Sequence, residues 1–574
     1  MNKIVLITLL FLLLSGIFLR VYRFGSVPIG LYWDEMAMFV DAKSVATTGK
    51  DMHGNPALQP IYPSYGDYKL PVYILLSSII FQVVSLPELV VRFPSLIAGI
   101  VTIFAAGLLS VQLLGDSSTK ILKGKNKLLF LSTAVIVAIS PWSFLFSRTG
   151  FEGHVGQSLL VCSVLALTFS QKNKLWLIIS IVLGALATYT YFSVRFVWPV
   201  VFIAYQFLSD YKAPLEIIRA FNKKSCLIFI EQISLIAVSL LLFFLALVPM
   251  TKSSLYAESN RYRLSTESIL TQDYAARSNL YVGITGTTLV DKVLFHRHYL
   301  LLRELANNYS DHFNLNFLFL SGDSNLRHGT TEHGEFLFVF LPIFLIGWYA
   351  LLSKKPTMAV FLAIWWIIAS LPASVPQTTP HALRSLNAFG ALSVVCGFGL
   401  SEIILYLQKK GKRTYQAVVY VILASIVLAW LSFVHFYFSV YPYISAKEWQ
   451  SGYKEVIAVI FEYKKEVGQT WAIVSDERFY LWGMGYGEYL GDDFLKWQTT
   501  NYHFNEFDEI RFSYRQLDIA YQIFDKIQLV TKVDDGLTWK IVEPYYTVEE
   551  SRIIQSSYGG DSYRWAILKR KPNL

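Results

Sequence analysis

Long apolar runs recur along the chain and predict membrane-spanning helices. A helix crosses the hydrocarbon core of a bilayer with about 17–25 mostly apolar residues, and most of these runs reach or approach that length. The pattern therefore predicts a polytopic α-helical membrane protein. The runs lie at residues 4–22, 71–86, 94–113, 128–146, 154–170, 175–191, 194–208, 227–249, 336–352, 357–373, 386–407 and 415–440.

Short basic loops between the runs predict the orientation of the chain, because Lys and Arg concentrate on the cytoplasmic side. All basic loops fall on one side if the run 71–86 does not cross, and we predict a re-entrant or interfacial helix there. A tilted 71–86 would cross only if another run did not. About eleven spans follow, with a cytoplasmic N-terminus and an outer C-terminus. The basic loops contain Lys120, Lys123, Lys125 and Lys127; Lys172 and Lys174; Lys212, Arg219, Lys223 and Lys224; Lys354 and Lys355; and Lys409, Lys410, Lys412 and Arg413.

Three polar regions are predicted on the outer face: a first loop at 23–93, a long loop at 251–335, and the C-terminal part. We predict a transmembrane domain over 1–440 and an extracytoplasmic α/β domain over 441–574. Helical spacing covers 446–467, and β-type patterns cover 471–474, 526–530, 539–542 and 565–568.

Composition narrows the class of protein further. The chain is 54% hydrophobic and only 16% charged, and its net charge of +9 comes from the short loops. That distribution excludes a nucleic-acid-binding surface and makes membrane lipid the expected surroundings. The three cysteines lie in or beside apolar runs, so no disulfide framework is predicted.

Two adjacent acids, Asp34 and Glu35, follow the first span directly and begin a short amphipathic stretch. A charged group costs about 2.5–3.5 kcal/mol at the centre of a bilayer, so we predict that both line a wet cavity at the outer face. Asp34 is either a helix N-cap or a chemically active acid. Glu35 is either a supporting or a solvated acid.

Further polar residues are predicted on the same face. Glu152, preceded by Arg148, lies in the turn between two spans, so it can share a cavity with Asp34. Lys69, His381 and Arg384 are also predicted on the outer side. Together with Arg148, they are the candidate ligands of a phosphate group. Snorkelling of a long basic side chain to the interface is the alternative for each.

The segment 322–335 combines acids and histidines, and its candidate substrate-contacting residues are Asp323, Arg327, His328 and His333. His328 and His333, with Glu332, also have side chains that bind divalent metals. No compact zinc-type spacing is present. We therefore assign no metal ligand from the sequence and leave a divalent metal open as the one cofactor considered.

Four motifs in this order resemble the GT-C membrane glycosyltransferases, in particular the protein O-mannosyltransferase and aminoarabinose-transferase group. They are YWDE at 32–35, KLPVY at 69–73, VRFPS at 91–95, and SPWSFLFSR at 140–148, which continues to Glu152. The resemblance covers roughly residues 1–440. It implies a GT-C-like fold and an enzyme of the cell envelope that uses a polyprenyl-phosphate-linked sugar.

The resemblance also implies roles. Asp34 would be the general base on an acceptor hydroxyl in an inverting transfer, with Glu35 and Glu152 as further acids of the catalytic site, and Lys69 would hold the lipid phosphate. Family members often carry Asp where this chain has Glu152. The acceptor is a lipid, a glycan or a protein, and a bacterial-type plasma membrane is the expected location.

Two other functions stay open. A polysaccharide ligase or polymerase that uses lipid-linked sugars would place its key Arg and His residues in a late outer loop, as His381 and Arg384 are placed. A transporter would show related halves and ionisable residues near the midplane, and this sequence shows neither pattern.

Overall fold

The computed structural model describes residues 2–64, 67–116, 118–209, 223–266, 268–286, 288–468, 470–476, 478–487, 506–507, 510–513 and 525–572. The chain forms two compact units. The first comprises Met1–Tyr22, Ser95–Ser147 and Phe151–Val434, and the second comprises Arg23–Pro94, Arg148–Gly150 and His435–Leu574. Part of the predicted basic loop around Lys212 and Arg219 lies outside the described residues.

The regular elements that the structure describes in the first unit are helices, joined by turns and loops. Its helices are Lys3–Val21, Gly124–Ile139, Pro141–Phe146, Glu152–Phe169, Leu175–Thr188, Val194–Leu208, Lys223–Ala246, Val248–Thr251, Ser254–Thr266, Tyr274–Thr285, Leu289–Leu294, Arg297–Asp311, Leu315–Phe319, Phe340–Lys354, Pro356–Ser370, Ala382–Ser385 and Phe389–Gln408. Short 3-10 turns lie at Ile269–Thr271, Leu371–Ser374 and Leu386–Ala388. The helices Pro87–Leu114 and Lys412–Ser439 contribute residues to both units.

Every predicted apolar run overlaps one helix or two. Among the described residues six helices are long and apolar enough to cross a membrane, and the chain is an integral multi-pass membrane protein. The six are Lys3–Val21, Pro87–Leu114, Glu152–Phe169, Pro356–Ser374, Ala382–Gln408 and Lys412–Ser439, and shorter apolar helices lie at Pro71–Phe81, Leu175–Thr188, Val194–Leu208, Ile230–Ala246 and Phe340–Lys354.

Two of the differences between predicted runs and helices lie at prolines. The run 128–146 is broken at Ser140, which is extended (φ −68°, ψ 128°), because a residue before proline avoids the helical region. The run predicted to begin at Pro94 belongs to a helix that already begins at Pro87. Pro94 lies inside it.

The helix Pro71–Phe81 is too short to cross a bilayer alone. Its 11 residues span about 16 Å, roughly half of a hydrocarbon core of about 30 Å. This length supports the predicted re-entrant or interfacial helix. The number of spans and the orientation of the termini stay predictions.

The second unit combines this helix with the rest of the first loop and the C-terminal part. The first loop forms the helix Trp33–Thr48 and a two-stranded antiparallel hairpin of Tyr62–Ser64 and Asp67–Lys69. C-terminal helices are Tyr441–Ile444, Tyr453–Val467, Phe479–Tyr486 and Gly536–Val542. The strands Glu506–Phe507, Ile510–Ser513, Thr470–Val474, Lys526–Lys532, Tyr563–Arg570 and Tyr546–Ile554 lie in this order in one sheet.

This mixed sheet confirms the prediction of a small C-terminal α/β domain. Thr470–Val474 pairs in parallel with both of its neighbours, and the other pairs are antiparallel. The core on one face contains Ile473, Ile527, Leu529, Val542, Tyr546, Ala566 and Leu568.

One predicted strand, 539–542, was wrong because it belongs to the helix Gly536–Val542. The Asp535 side chain caps this helix by accepting a hydrogen bond from the backbone N–H of Thr538 (3.1 Å). The strand Tyr546–Ile554 was not predicted. Most of its residues are exposed, so its sequence lacks the apolar alternation of a half-buried strand.

The topology has a direct test in the loop that carries Lys123. In a background without the native cysteines, Lys123→Cys should be modified by a membrane-impermeant maleimide only after permeabilisation, because a non-crossing 71–86 places this loop in the cytoplasm. Lys540→Cys is the matched outer control and should react in intact cells. Modification of the Lys123→Cys variant in intact cells would contradict the predicted orientation.

Candidate functional site

Asp34 lies in the first turn of the helix Trp33–Thr48 and is half-buried. Tyr32 occupies the N-cap position, so the N-cap role considered for Asp34 is wrong. Instead, Asp34 Oδ1 lies 2.9 Å from Nζ of Lys69, and its side chain stays 21% exposed. Its carboxylate is therefore partly exposed, and it is held by the Lys69 ammonium rather than by a helix cap.

Lys69 connects two carboxylates. It ends the strand Asp67–Lys69, whose hairpin register sets Lys69 opposite Tyr62. Its Nζ lies 2.9 Å from Asp34 Oδ1 and 2.9 Å from Asp67 Oδ2, and its side chain is 6% exposed. The second unit therefore brings together Asp34 and Lys69, two of the residues singled out from the sequence.

Glu35 is fully buried and forms a bidentate ion pair with Arg92. Arg92 Nε donates to Oε1 and Nη2 to Oε2, both at 2.9 Å. The backbone N–H of Gly150 also donates to Oε1, at 2.6 Å. Arg92 donates further to the carbonyl oxygens of Pro28 (2.9 Å) and Gly30 (2.5 Å). These contacts support the role of a supporting acid for Glu35 rather than contact with substrate.

The turn Arg148–Gly150 is fitted closely to this ion pair. A Cβ at Gly150 would lie 2.9 Å from Glu35 Cγ, so only glycine permits the approach. Arg148 is fully buried, and its Nη2 donates to the carbonyls of Arg23 (3.1 Å) and Val27 (3.0 Å). Arg148 thus holds the start of the first loop, and these contacts support a structural role rather than the phosphate contact considered for it.

The ion-pair role of Arg92, which lies in the VRFPS motif, and the importance of Asp41 were not predicted from the sequence. Arg92 had a signal, because a lone arginine in an apolar helix needs a charged partner. Asp41 follows Asp34 by seven residues and so lies on the same face of the helix. It is fully buried, and its Oδ1 accepts from the Met52 N–H (3.0 Å). Burial first, and then the charge of Asp51, raise the pKa of Asp41 well above its usual value, while Lys69 opposes the rise.

A second polar cluster lies in the first unit and joins the segment 322–335 to the residues before helix Ala382–Ser385. Asp323 Oδ2 lies 3.5 Å from His328 Nδ1 and accepts from the Ala382 N–H at 2.8 Å. The His328 and His381 rings stack with centroids 4.6 Å apart. Burial first, and then nearby positive charge, hold the pKa of His381 well below its usual range.

Arg327 and Arg384 stand close enough to this cluster to contribute to that lowered pKa. The structure therefore brings together, in one unit, Asp323, Arg327, His328, His381 and Arg384. His333 lies apart from the donor atoms of Asp323, His328 and His381: its Nδ1 is 3.3 Å from the Thr330 hydroxyl, and its ring contacts Phe433 edge-on.

Glu152 is the first residue of the helix Glu152–Phe169 and is half-buried. A carboxylate at this position interacts favourably with the helix dipole. Glu152 belongs to the first unit and Asp34 to the second. Their predicted convergence on one cavity, with Arg384 as a neighbour, stays a prediction.

Comparison with known proteins adds the fold class. No protein-family model matches the sequence, and no curated protein matches it significantly. Solved structures do match. The chain is similar to ArnT from Cupriavidus metallidurans bound to undecaprenyl phosphate, at 10% identity over 100% of this chain and 99% of that one, with a TM-score of 0.51.

Two further structures match with lower TM-scores. ArnT of the same organism in the apo state gives 11% identity, 93% and 92% coverage and a TM-score of 0.48. The apo oligosaccharyltransferase of Archaeoglobus fulgidus gives 13% identity, 97% and 74% coverage and a TM-score of 0.45. The likeness to undecaprenyl-phosphate-bound ArnT shows that this chain has the GT-C fold, as the resemblance of its motifs predicted.

Removing one member of the buried ion pair should strongly destabilise the protein. We expect Glu35→Gln to lower the free energy of unfolding by about 3–5 kcal/mol, because it leaves the buried Arg92 guanidinium without a counter-charge. Thermal unfolding of the purified protein in detergent measures the change. The matched control is Glu304→Gln in the exposed pair with Arg277, which should cost about 0–1 kcal/mol. Equal losses would contradict the role of the Glu35 pair.

Asp41 should make stability depend on pH. A buried acid with a raised pKa stabilises the folded state below its unfolded pKa, and this contribution is lost as pH rises through its folded pKa. We expect the melting temperature of Asp41→Asn to exceed that of the wild type increasingly as pH rises from 5 to 8, since the amide cannot ionise among Asp51, Lys69 and Tyr62. Asp534→Asn, an exposed acid, is the control. Parallel pH profiles for Asp41→Asn and the wild type would refute this.

Proposed function

We propose that this protein is a membrane glycosyltransferase that moves a sugar from a polyprenyl-phosphate-linked donor to a hydroxyl acceptor at the outer face. The observation that carries the proposal is the accessible carboxylate of Asp34 held 2.9 Å from the Lys69 ammonium in a chain with the GT-C fold. The sugar is a hexose or a pentose, and the acceptor is a lipid, a glycan or a protein.

The chemistry requires a base and a stabilised leaving group. A hydroxyl is a poor nucleophile, and a positioned carboxylate that removes its proton contributes about 10²–10⁴-fold. Asp34 takes this role because it is the more exposed of the two adjacent acids. Attack of the acceptor oxygen on the anomeric carbon forms the new glycosidic bond and breaks the bond to the lipid phosphate. The proton passes to Asp34, and polyprenyl phosphate leaves with the bonding electrons.

Lys69 has two tasks in this scheme. In the free protein its ammonium compensates the charges of Asp34 and Asp67 and fixes the direction of the Asp34 carboxylate. In the donor complex it turns toward the lipid phosphate and neutralises the charge that develops there. For this movement the ion pair between Lys69 and Asp67 has to break. In this scheme the Lys69 ammonium therefore exchanges its carboxylate partner for the lipid phosphate.

The cluster of Arg327, His328, His381 and Arg384 favours one second candidate function. Basic residues in a late outer loop suit a polysaccharide ligase or polymerase that also uses a lipid-linked donor. In that scheme a histidine of this cluster, rather than Asp34, acts on the acceptor. The two schemes therefore differ in which cluster is indispensable.

The test uses purified protein in proteoliposomes with polyprenyl-phosphate sugars extracted from the producing cells. Total envelope glycans are supplied as the acceptor source, so the acceptor need not be known. Turnover is measured by chromatography as the release of free polyprenyl phosphate. We expect Asp34→Asn to reduce the rate by about 10²–10⁴-fold, since the amide cannot accept the proton.

The matched control is Asp67→Asn, which removes the other carboxylate on Lys69 and leaves Asp34 in place. It should keep most of the rate, and both variants should melt within a few degrees of the wild type. Full activity of Asp34→Asn would overturn the proposal. Activity lost in His381→Ala and kept in Asp34→Asn would favour the ligase scheme, and donor binding without turnover would favour transport.

A further inference from the structure

The cluster in the first unit has the composition of a metal site. Asp323, His328 and His381 each offer one donor atom, and the three atoms lie within 4.8 Å of one another. Asp323 and His328 come from the segment 322–335. His381 lies 46 residues after the end of that segment, directly before the helix Ala382–Ser385. Only the folded chain brings the set together.

The hydrogen bonds of this cluster do not account for one buried nitrogen of His381. Its Nδ1 is buried and has no hydrogen-bond partner within the described part of the chain. Buried polar atoms in folded proteins are almost always satisfied, so each exception calls for a cause. The backbone N–H of His381 donates to His312 Nε2 (3.0 Å), and His312 Nδ1 faces the Asn308 carbonyl (2.9 Å). Both ring nitrogens of His312 therefore have hydrogen-bond partners, and its Nε2 holds the backbone of His381 in place.

The other two donors are held by neighbours that act as an outer shell. Asp323 Oδ1 accepts from the Asn325 N–H, and Oδ2 accepts from the Ala382 N–H, both at 2.8 Å. The His328 ring packs against Phe151 edge-on, with centroids 5.2 Å apart. Outer-shell contacts of this kind orient ligands and exclude solvent, and both effects strengthen metal binding.

The segment 322–335 is also fitted tightly in place. A Cβ at Gly329 would lie 2.8 Å from the Asp323 carbonyl oxygen. Thr331 adopts a φ of 63°, which is strained for a β-branched residue. Strain of this kind persists only where the surroundings over-determine the backbone. The donors Asp323 and His328 are thus presented by a preformed loop.

We infer that Asp323, His328 and His381 bind one divalent transition-metal ion, with Zn²⁺ as the best match. Two imidazoles and one carboxylate suit zinc, whereas Mg²⁺ and Ca²⁺ prefer oxygen ligands throughout. Three protein ligands leave a fourth tetrahedral position for water or an anionic oxygen. Arg327 and Arg384 nearby favour the anionic oxygen. The inference does not rest on the proposed function, because none of the three proposed ligands has a role in the Asp34 chemistry.

The test measures metal directly on the full-length protein. Protein purified with a chelator is dialysed against Zn²⁺ or Co²⁺, and bound metal is counted by mass spectrometry. We expect one ion per chain, the visible absorption bands of tetrahedral Co²⁺, and a melting temperature that Zn²⁺ raises. His381→Ala and Asp323→Ala should weaken binding by more than about 100-fold, because even an outer-shell change costs about 10–100-fold.

His333→Ala is the matched control, since His333 belongs to the same loop and stands outside the donor set. It should keep the ion, and so should Asp34→Asn, which separates this inference from the proposed transfer reaction. The inference is overturned if the wild type retains no ion after dialysis. It is also overturned if His333→Ala loses the ion as His381→Ala does, or if His381→Ala binds like the wild type. If a variant misfolds, the metal stoichiometry and the Co²⁺ spectrum of the wild type still decide whether the site exists.

Discussion

The buried ion pair of Glu35 with Arg92 is the contact on which the candidate site depends. It joins the first turn of the helix Trp33–Thr48 to the helix Pro87–Leu114, and the Gly150 N–H joins it to the turn Arg148–Gly150. Removing two charges from water is costly, and a buried pair is tolerated only where its geometry and remaining hydrogen bonds are good. Here the guanidinium also contacts backbone carbonyls of the loop that leads into the helix.

That contact separates two adjacent acids into two roles. Successive residues of a helix point about 100° apart, so with Glu35 fixed inward, Asp34 is turned toward the hairpin that carries Lys69. The helix cannot rotate to bury Asp34 without exposing Glu35 and leaving Arg92 unpaired. The energy of the buried pair is therefore what keeps the Asp34 carboxylate accessible. Asp41, on the same face farther along, is buried and stays protonated more readily.

The sequence predicted most of the membrane part, because apolar runs and basic loops follow from the bilayer itself. Each run lies mostly in helix, and two of the boundary errors arose at Pro94 and Ser140, where local proline chemistry sets the boundaries. The strand predicted at 539–542 failed because a capping aspartate, Asp535, outweighed the apolar pattern. The sequence showed which residues were candidates for the site, but it did not show which of them contact one another. His381 meets Asp323 only through tertiary folding, and no spacing rule covers that separation.

The proposed role of Asp34 as a base implies a single displacement at the anomeric carbon. The most direct test is the anomeric configuration of the product, read from the ¹H NMR coupling of its anomeric proton, when the donor has a defined configuration. The account predicts inversion, because the acceptor oxygen attacks opposite the departing phosphate. Retention would contradict it, because retention needs a second displacement through an enzyme-bound sugar, with Asp34 as nucleophile rather than base.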